Sequence, residues 1–61
     1  MPSDLEIKTL RETAERIMTK NPVKYMPRVD AVLDDYKNGK VEKRAAIFQL
    51  ALVTTDEFFG R

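Results

Sequence analysis

Few side chains in this sequence of 61 residues are suited to chemistry, because cysteine, histidine and tryptophan are all absent. Without a thiolate or an imidazole, the usual nucleophile–base pairs cannot be assembled and zinc loses its preferred ligands. Ser3 is the only serine, and it is placed to begin a helix. The two glycines, Gly39 and Gly60, cannot form a glycine-rich phosphate loop. The composition therefore predicts a protein that is not an enzyme and that holds no metal or cofactor.

One segment, residues 34–45, meets part of the ligand spacing of a calcium loop. An EF-hand loop needs oxygen ligands at its first, third and fifth positions, glycine at the sixth and a bidentate glutamate at the twelfth. Asp34, Asn38 and Gly39 fit this pattern, but Tyr36 and Ala45 stand at the third and twelfth positions. Since too few hard ligands remain, Asn38 and Gly39 are better explained as the end of a helix.

Four basic residues surround the same turn, and they are Lys37, Lys40, Lys43 and Arg44. Such residues can contact phosphates, and a helix-turn-helix has a turn of similar length. The segment that follows, however, offers only Gln49 to read base edges, and the net charge of the chain is only +1. Nucleic-acid binding through these four residues is therefore the alternative function and not the favoured one.

The elements that carry these residues are predicted to be helices. The first begins with Ser3 as N-cap and Glu6 three positions later, which together make a capping box. Apolar residues then recur at helical spacing, at Ile7, Leu10, Ala14 and Ile17. This helix is expected to end near Lys20, because Asn21 and Pro22 follow.

A connection bounded by prolines is predicted at residues 21–27. Because Pro22 and Pro27 cannot both lie deep inside one helix, we expect an elbow here. The alternative is that Pro22 occupies the first turn of a short helical segment capped by Asn21. Pro27 then either starts the second helix or lies in its first turn. A second helix should then run from about Arg28 to Lys37, with Asn38 and Gly39 ending it.

The third predicted helix, from about Lys40 to Val53, is apolar nearly all the way round. One stripe holds Val41, Ala45, Phe48 and Leu52, and Ile47, Leu50, Ala51 and Val53 widen it. A helix of this kind is normally buried on most sides. After it, Thr55 is expected to cap a short C-terminal helical turn that carries Phe58 and Phe59.

These elements predict an all-α protein, a compact three-helix bundle forming a single domain over residues 1–61. Two short helices give little cover to a third that is apolar all round, and small domains bury a modest share of their surface. Either the C-terminal segment folds back to close a monomeric core, or the surplus apolar surface is an interface. We favour the interface, with Ile47, Leu50, Val53, Phe58 and Phe59 as its residues.

The function predicted from this surface is a non-enzymatic protein-interaction module. It would self-associate as a homo-oligomer or dock as a small accessory subunit on a larger assembly, and an inhibitor of a partner enzyme would use the same surface. The longest apolar run, residues 45–53, is far shorter than the roughly 20 residues that span a bilayer. No apolar signal segment is visible, so we expect a soluble, cytoplasmic protein without a membrane partner.

Overall fold

The computed structural model describes residues 2–60, and three helices account for most of that range. α1 runs over Asp4–Ile17, α2 over Pro22–Lys37 and α3 over Lys43–Phe59. Residues 2–60 contain no strand, and the three helices pack on one another. The predicted all-α three-helix bundle is therefore confirmed.

The core is centred on α2, which packs against both other helices, whereas α1 and α3 touch each other only slightly. Five side chains of α2 are buried, and they are Tyr25, Met26, Val29, Leu33 and Tyr36. Ala14 and Met18 cover them from the α1 side, and Ala46 and Val53 from α3. Because α1 and α3 meet mainly through α2, a groove remains open between them.

A hydrogen-bonded cluster joins all three helices at one end of the bundle. Ser3 caps α1 as predicted, since its hydroxyl accepts the Glu6 amide at 3.1 Å. The Glu6 carboxylate does not complete the capping box. It accepts the Tyr36 hydroxyl of α2 at 2.6 Å and lies 3.3 Å from the Lys43 ammonium of α3. The N-terminal turn of α1 is thereby fixed to both other helices.

The predicted elbow at residues 21–27 is wrong in its extent, because α2 already begins at Pro22. The Asn21 side chain caps this start by accepting the Lys24 amide at 3.3 Å. Pro22 stands in the first turn, where the missing N–H is not needed, so the alternative of an Asn21 cap before Pro22 is confirmed. Pro27 lies inside the helix and leaves the carbonyl of Val23 without its helical donor. The real connection between α1 and α2 is limited to residues 18–21.

The third helix also differs from the prediction at both ends. It begins at Lys43, not Lys40, and continues without a break to Phe59. Thr55 does not cap a new turn, because its hydroxyl donates to the Ala51 carbonyl at 2.8 Å within the helix. The predicted C-terminal turn is thus the last turn of α3, which ends at Gly60 with a φ of 72°.

A second carboxylate ties the other end of the bundle together. Glu57 on the last turn of α3 is only 3% exposed, and its Oε2 accepts the amides of Lys20 and Asn21, each at 2.9 Å. The negative charge lies at the start of α2, where the helix dipole is positive. The Lys20 ammonium in turn donates to the Phe58 carbonyl at 2.8 Å. The end of α3 is therefore bonded to the connection between α1 and α2.

We expect Glu57→Ala to lower the free energy of unfolding by about 3 kcal/mol, because two hydrogen bonds to a buried charge are lost. Urea denaturation measures the change. Glu12→Ala is the control, since Glu12 is an exposed acid of α1. Equal stabilities of the two variants would contradict this role of Glu57.

The cluster of Glu6, Tyr36 and Lys43 should make the stability of the fold depend on pH. The Tyr36 hydrogen bond, helped by Lys43, lowers the pKa of Glu6 below its ordinary 4.5, and the same bond raises the pKa of Tyr36 above 10.0. The bond therefore stabilises the fold above pH 4.5. This contribution is lost as the pH falls through the lowered pKa of Glu6, and again as it rises through the raised pKa of Tyr36.

Tyr36→Phe should accordingly be less stable than the parent protein at neutral pH, and the difference should shrink on acidification. Denaturation curves between about pH 3 and about pH 8 measure this difference. Tyr25→Phe is the control, because the buried Tyr25 hydroxyl has no hydrogen-bond partner within residues 2–60. A Tyr36→Phe difference that stays constant with pH would contradict the coupling to Glu6.

Candidate functional site

A groove of about 490 Å³ runs between α1 and α3. From α1 it is lined by Leu10, Thr13, Ala14 and Ile17. From α3 it is lined by Ile47, Leu50, Ala51, Thr54 and Thr55. None of these nine residues is charged. The groove exists because α2 holds the two helices while they scarcely touch each other.

The hydroxyl groups in the groove are already used by the helices that carry them. Thr13 donates to the Thr9 carbonyl at 2.9 Å, and Thr54 donates to the Leu50 carbonyl at 2.9 Å. Thr55 bonds the Ala51 carbonyl in the same way. With these protons engaged inside the helix, the threonines contribute mainly hydrocarbon to the lining. The groove is therefore suited to apolar side chains and offers no acid or base for a reaction.

Large apolar side chains continue from the groove onto the outer face of α3, the side of the helix that exposes Ile47, Phe48 and Phe59. Ile47 is 47% exposed and belongs to both surfaces, while Phe48 is 64% and Phe59 66% exposed. No residue between Arg44 and Asp56 is charged. Exposed apolar patches of this continuity typically mark interaction sites in small proteins.

The five predicted interface residues do not all lie on this surface. Ile47 and Leu50 line the groove, although Leu50 is half-buried and packs against the core. Val53 is only 4% exposed and belongs to the core beside α2. Val53 is therefore removed from the candidate interface, because its side chain is already covered.

Phe58 and Phe59 lie exposed at the end of α3, with their rings edge to face at a centroid distance of 5.3 Å. The Lys20 ammonium is 4.4 Å from the centre of the Phe58 ring, a cation–π distance. Phe58 is thus partly engaged by its own chain, whereas Phe59 extends the outer face of α3.

Several residues of this surface are not among the five interface residues predicted from the sequence. The sequence places Leu10 and Ile17 on one apolar stripe of the first helix, and in the structure both line the groove. The sequence places Phe48 and Leu52 on one stripe of the third helix, and both are exposed in the structure. The charge-free segment between residues 44 and 56 was the available signal, but it does not say which side of the helix is covered.

Of the four basic residues, Lys37 is the last residue of α2, Lys40 lies in the turn that follows, and Lys43 and Arg44 begin α3. Lys37, Lys40 and Arg44 are exposed. Lys43 lies 3.3 Å from the Glu6 carboxylate, which offsets its charge. Glu42 stands among them, so this end of the bundle is mixed in charge and not a clear basic stripe.

No protein-family model matches the chain, and no curated protein or solved structure shows significant similarity to it. Within residues 2–60, the acidic side chains form no group of three or more that could hold a metal ion. In the same range, no helix has the length and apolar character needed to cross a membrane.

We expect the exposed part of the groove to contribute little to folding, and Ile47 is the residue that tests it. Ile47→Ser should change the free energy of unfolding by no more than about 0.5–1 kcal/mol, because the side chain is half exposed. Leu33→Ala, in the core, should cost about 2–5 kcal/mol. Both are measured by urea denaturation at low protein concentration, where association contributes little. Equal losses would mean that Ile47 serves the fold and not an interface.

Proposed function

We propose that this protein is a non-enzymatic protein-interaction module that docks through the groove between α1 and α3 and the outer face of α3. The observation that carries the proposal is the groove itself. Its nine lining residues include no charge, and its threonine hydroxyls are bonded within their own helices. Apolar side chains of a partner would gain about 25 cal/mol per Å² on entering it, before the entropic cost of association.

A helix is the partner element that suits this surface best. A groove between two helices accepts the apolar face of a third, with side chains at helical spacing as anchors. The partner helix could belong to a larger assembly or to a second copy of this chain. In either case Phe59 extends the contact beyond the end of the groove.

Two other roles have weaker support. An enzymatic role would need an acid, base or nucleophile in the groove, and its lining provides none. Nucleic-acid binding at Lys37, Lys40, Lys43 and Arg44 would need a stronger positive field than a turn that also holds Glu42 and the Glu6–Lys43 pair.

A photo-crosslinking amino acid tests the docking surface directly. Placed at position 47 in the cells that produce the protein, it should yield covalent adducts with protein, because Ile47 lies in both parts of the surface. The matched control is position 8, an exposed site on α1 that does not line the groove. Adducts at neither position, or equal adducts at both, would contradict the proposed function.

A separate prediction concerns Phe58 and Phe59 at the end of α3. The double substitution Phe58→Ala and Phe59→Ala should weaken association, since two exposed aromatic side chains are removed from the surface. The adduct yield from position 47 measures the loss, and circular dichroism verifies that the fold is retained. Unchanged association would exclude the phenylalanine pair from the interface.

A further inference from the structure

We propose that the partner of the outer face of α3 is a second copy of this chain, with the two α3 helices packed antiparallel. This inference rests on the proposed function and names the partner. It is carried by the order of side chains along one stripe of α3 and by the charge at its start.

The stripe consists of Arg44, Phe48, Ala51, Thr55 and Phe59, at spacings of four, three, four and four residues. At 3.6 residues per turn these positions share one side of the helix. All five are exposed, and they lie opposite the buried side that carries Ala46, Val53 and Glu57. The stripe therefore lies on the uncovered side of α3, where Ala51 and Thr55 also form one edge of the groove, and a partner can reach all five residues.

The order of sizes along the stripe is self-complementary when it is reversed. In an antiparallel pair centred between Ala51 and Leu52, Phe48 of each copy lies opposite Thr55 of the other. The large Phe48 then meets the smaller Thr55 on both sides of the centre, with Ala51 next to the point of closest approach. In a parallel pair, Phe48 would meet Phe48 and Ala51 would meet Ala51, which leaves alternating clashes and gaps.

The charge on the stripe selects the same orientation. Arg44 is exposed, and no carboxylate within residues 2–60 forms an ion pair with it. The antiparallel pair sets Arg44 beside Phe59 of the other copy, at the negative end of that helix dipole. A parallel pair would bring the two Arg44 guanidinium groups together. Charge complementarity therefore favours a second copy in the antiparallel arrangement.

The area available fits a reversible dimer. Phe48 and Phe59 each expose roughly 100–160 Å², and Ile47 and Leu52 flank them. A standard interface covers about 800 Å² of each partner, and this face is smaller. We therefore expect dissociation constants on the order of micromolar and a dimer that disappears on dilution.

Single cysteines test the pairing, since the chain has none of its own. Ala51→Cys should form a disulfide-linked dimer on mild oxidation, because the two positions 51 lie next to the two-fold axis. Thr55→Cys should not form this dimer. The two positions 55 would be about 10 Å apart along the direction of the helices, which is beyond the reach of a disulfide. Lys8→Cys, on exposed α1, is the control for random collision.

Charge reversal gives a second readout, by light scattering across a hundredfold dilution. Arg44→Glu should raise the dissociation constant by about tenfold, because it sets a negative charge at the negative end of the partner helix. Lys40→Glu makes the same change in net charge off the stripe and should leave the constant within about twofold.

Each of the following results would contradict the antiparallel pair. Cross-linking of both Ala51→Cys and Thr55→Cys would indicate a parallel pair, and a dilutable dimer that neither cysteine links would use a different surface. A monomer at every concentration would exclude a second copy. If position 47 still forms adducts with other proteins, the docking function stands and only the identity of the partner is overturned.

Discussion

α3 is apolar on two opposite sides, and the other two helices cover one of them. The covered side, with Ala46 and Val53, is buried against α2 and the core, and it leaves Phe48 and Phe59 in solvent. Closing both sides would require a fourth helix, and residues 2–60 form three. The open groove, the exposed phenylalanines and the proposed docking surface all follow from this shortage of cover.

Two carboxylates compensate for the slight contact between α1 and α3. Glu6 bonds Tyr36 and Lys43 at one end of the bundle, and Glu57 bonds the connection between α1 and α2 at the other. Both act across helices in a chain that has no disulfide. They fix α1 and α3 at their ends while the middle of the pair stays apart, which keeps the groove open without a gap in the core.

Local signals in the sequence predicted the local features of this fold. The Ser3 cap and the three helices depend on neighbouring residues, and these predictions are confirmed. Pro27 lies inside α2, although it leaves the Val23 carbonyl without its helical donor, and its neighbours Met26 and Val29 are buried in the core. Local sequence signals do not include this burial. Val53 was expected in the interface because a helix that is apolar all round carries no periodicity to show which side faces inward. Glu57 bonds residues 36 and 37 positions away, and no local pattern predicts such a contact.

The bonds made by Glu57 also determine which parts of the molecule open together. The amides of Lys20 and Asn21 are held by a residue from the far end of the described chain. They become free to exchange with solvent only when the last turn of α3 leaves the bundle. The start of α2 and the end of α3 therefore form one cooperative unit of local unfolding. Amide exchange at two loop residues thus reports on the docking of a helix end more than thirty residues away.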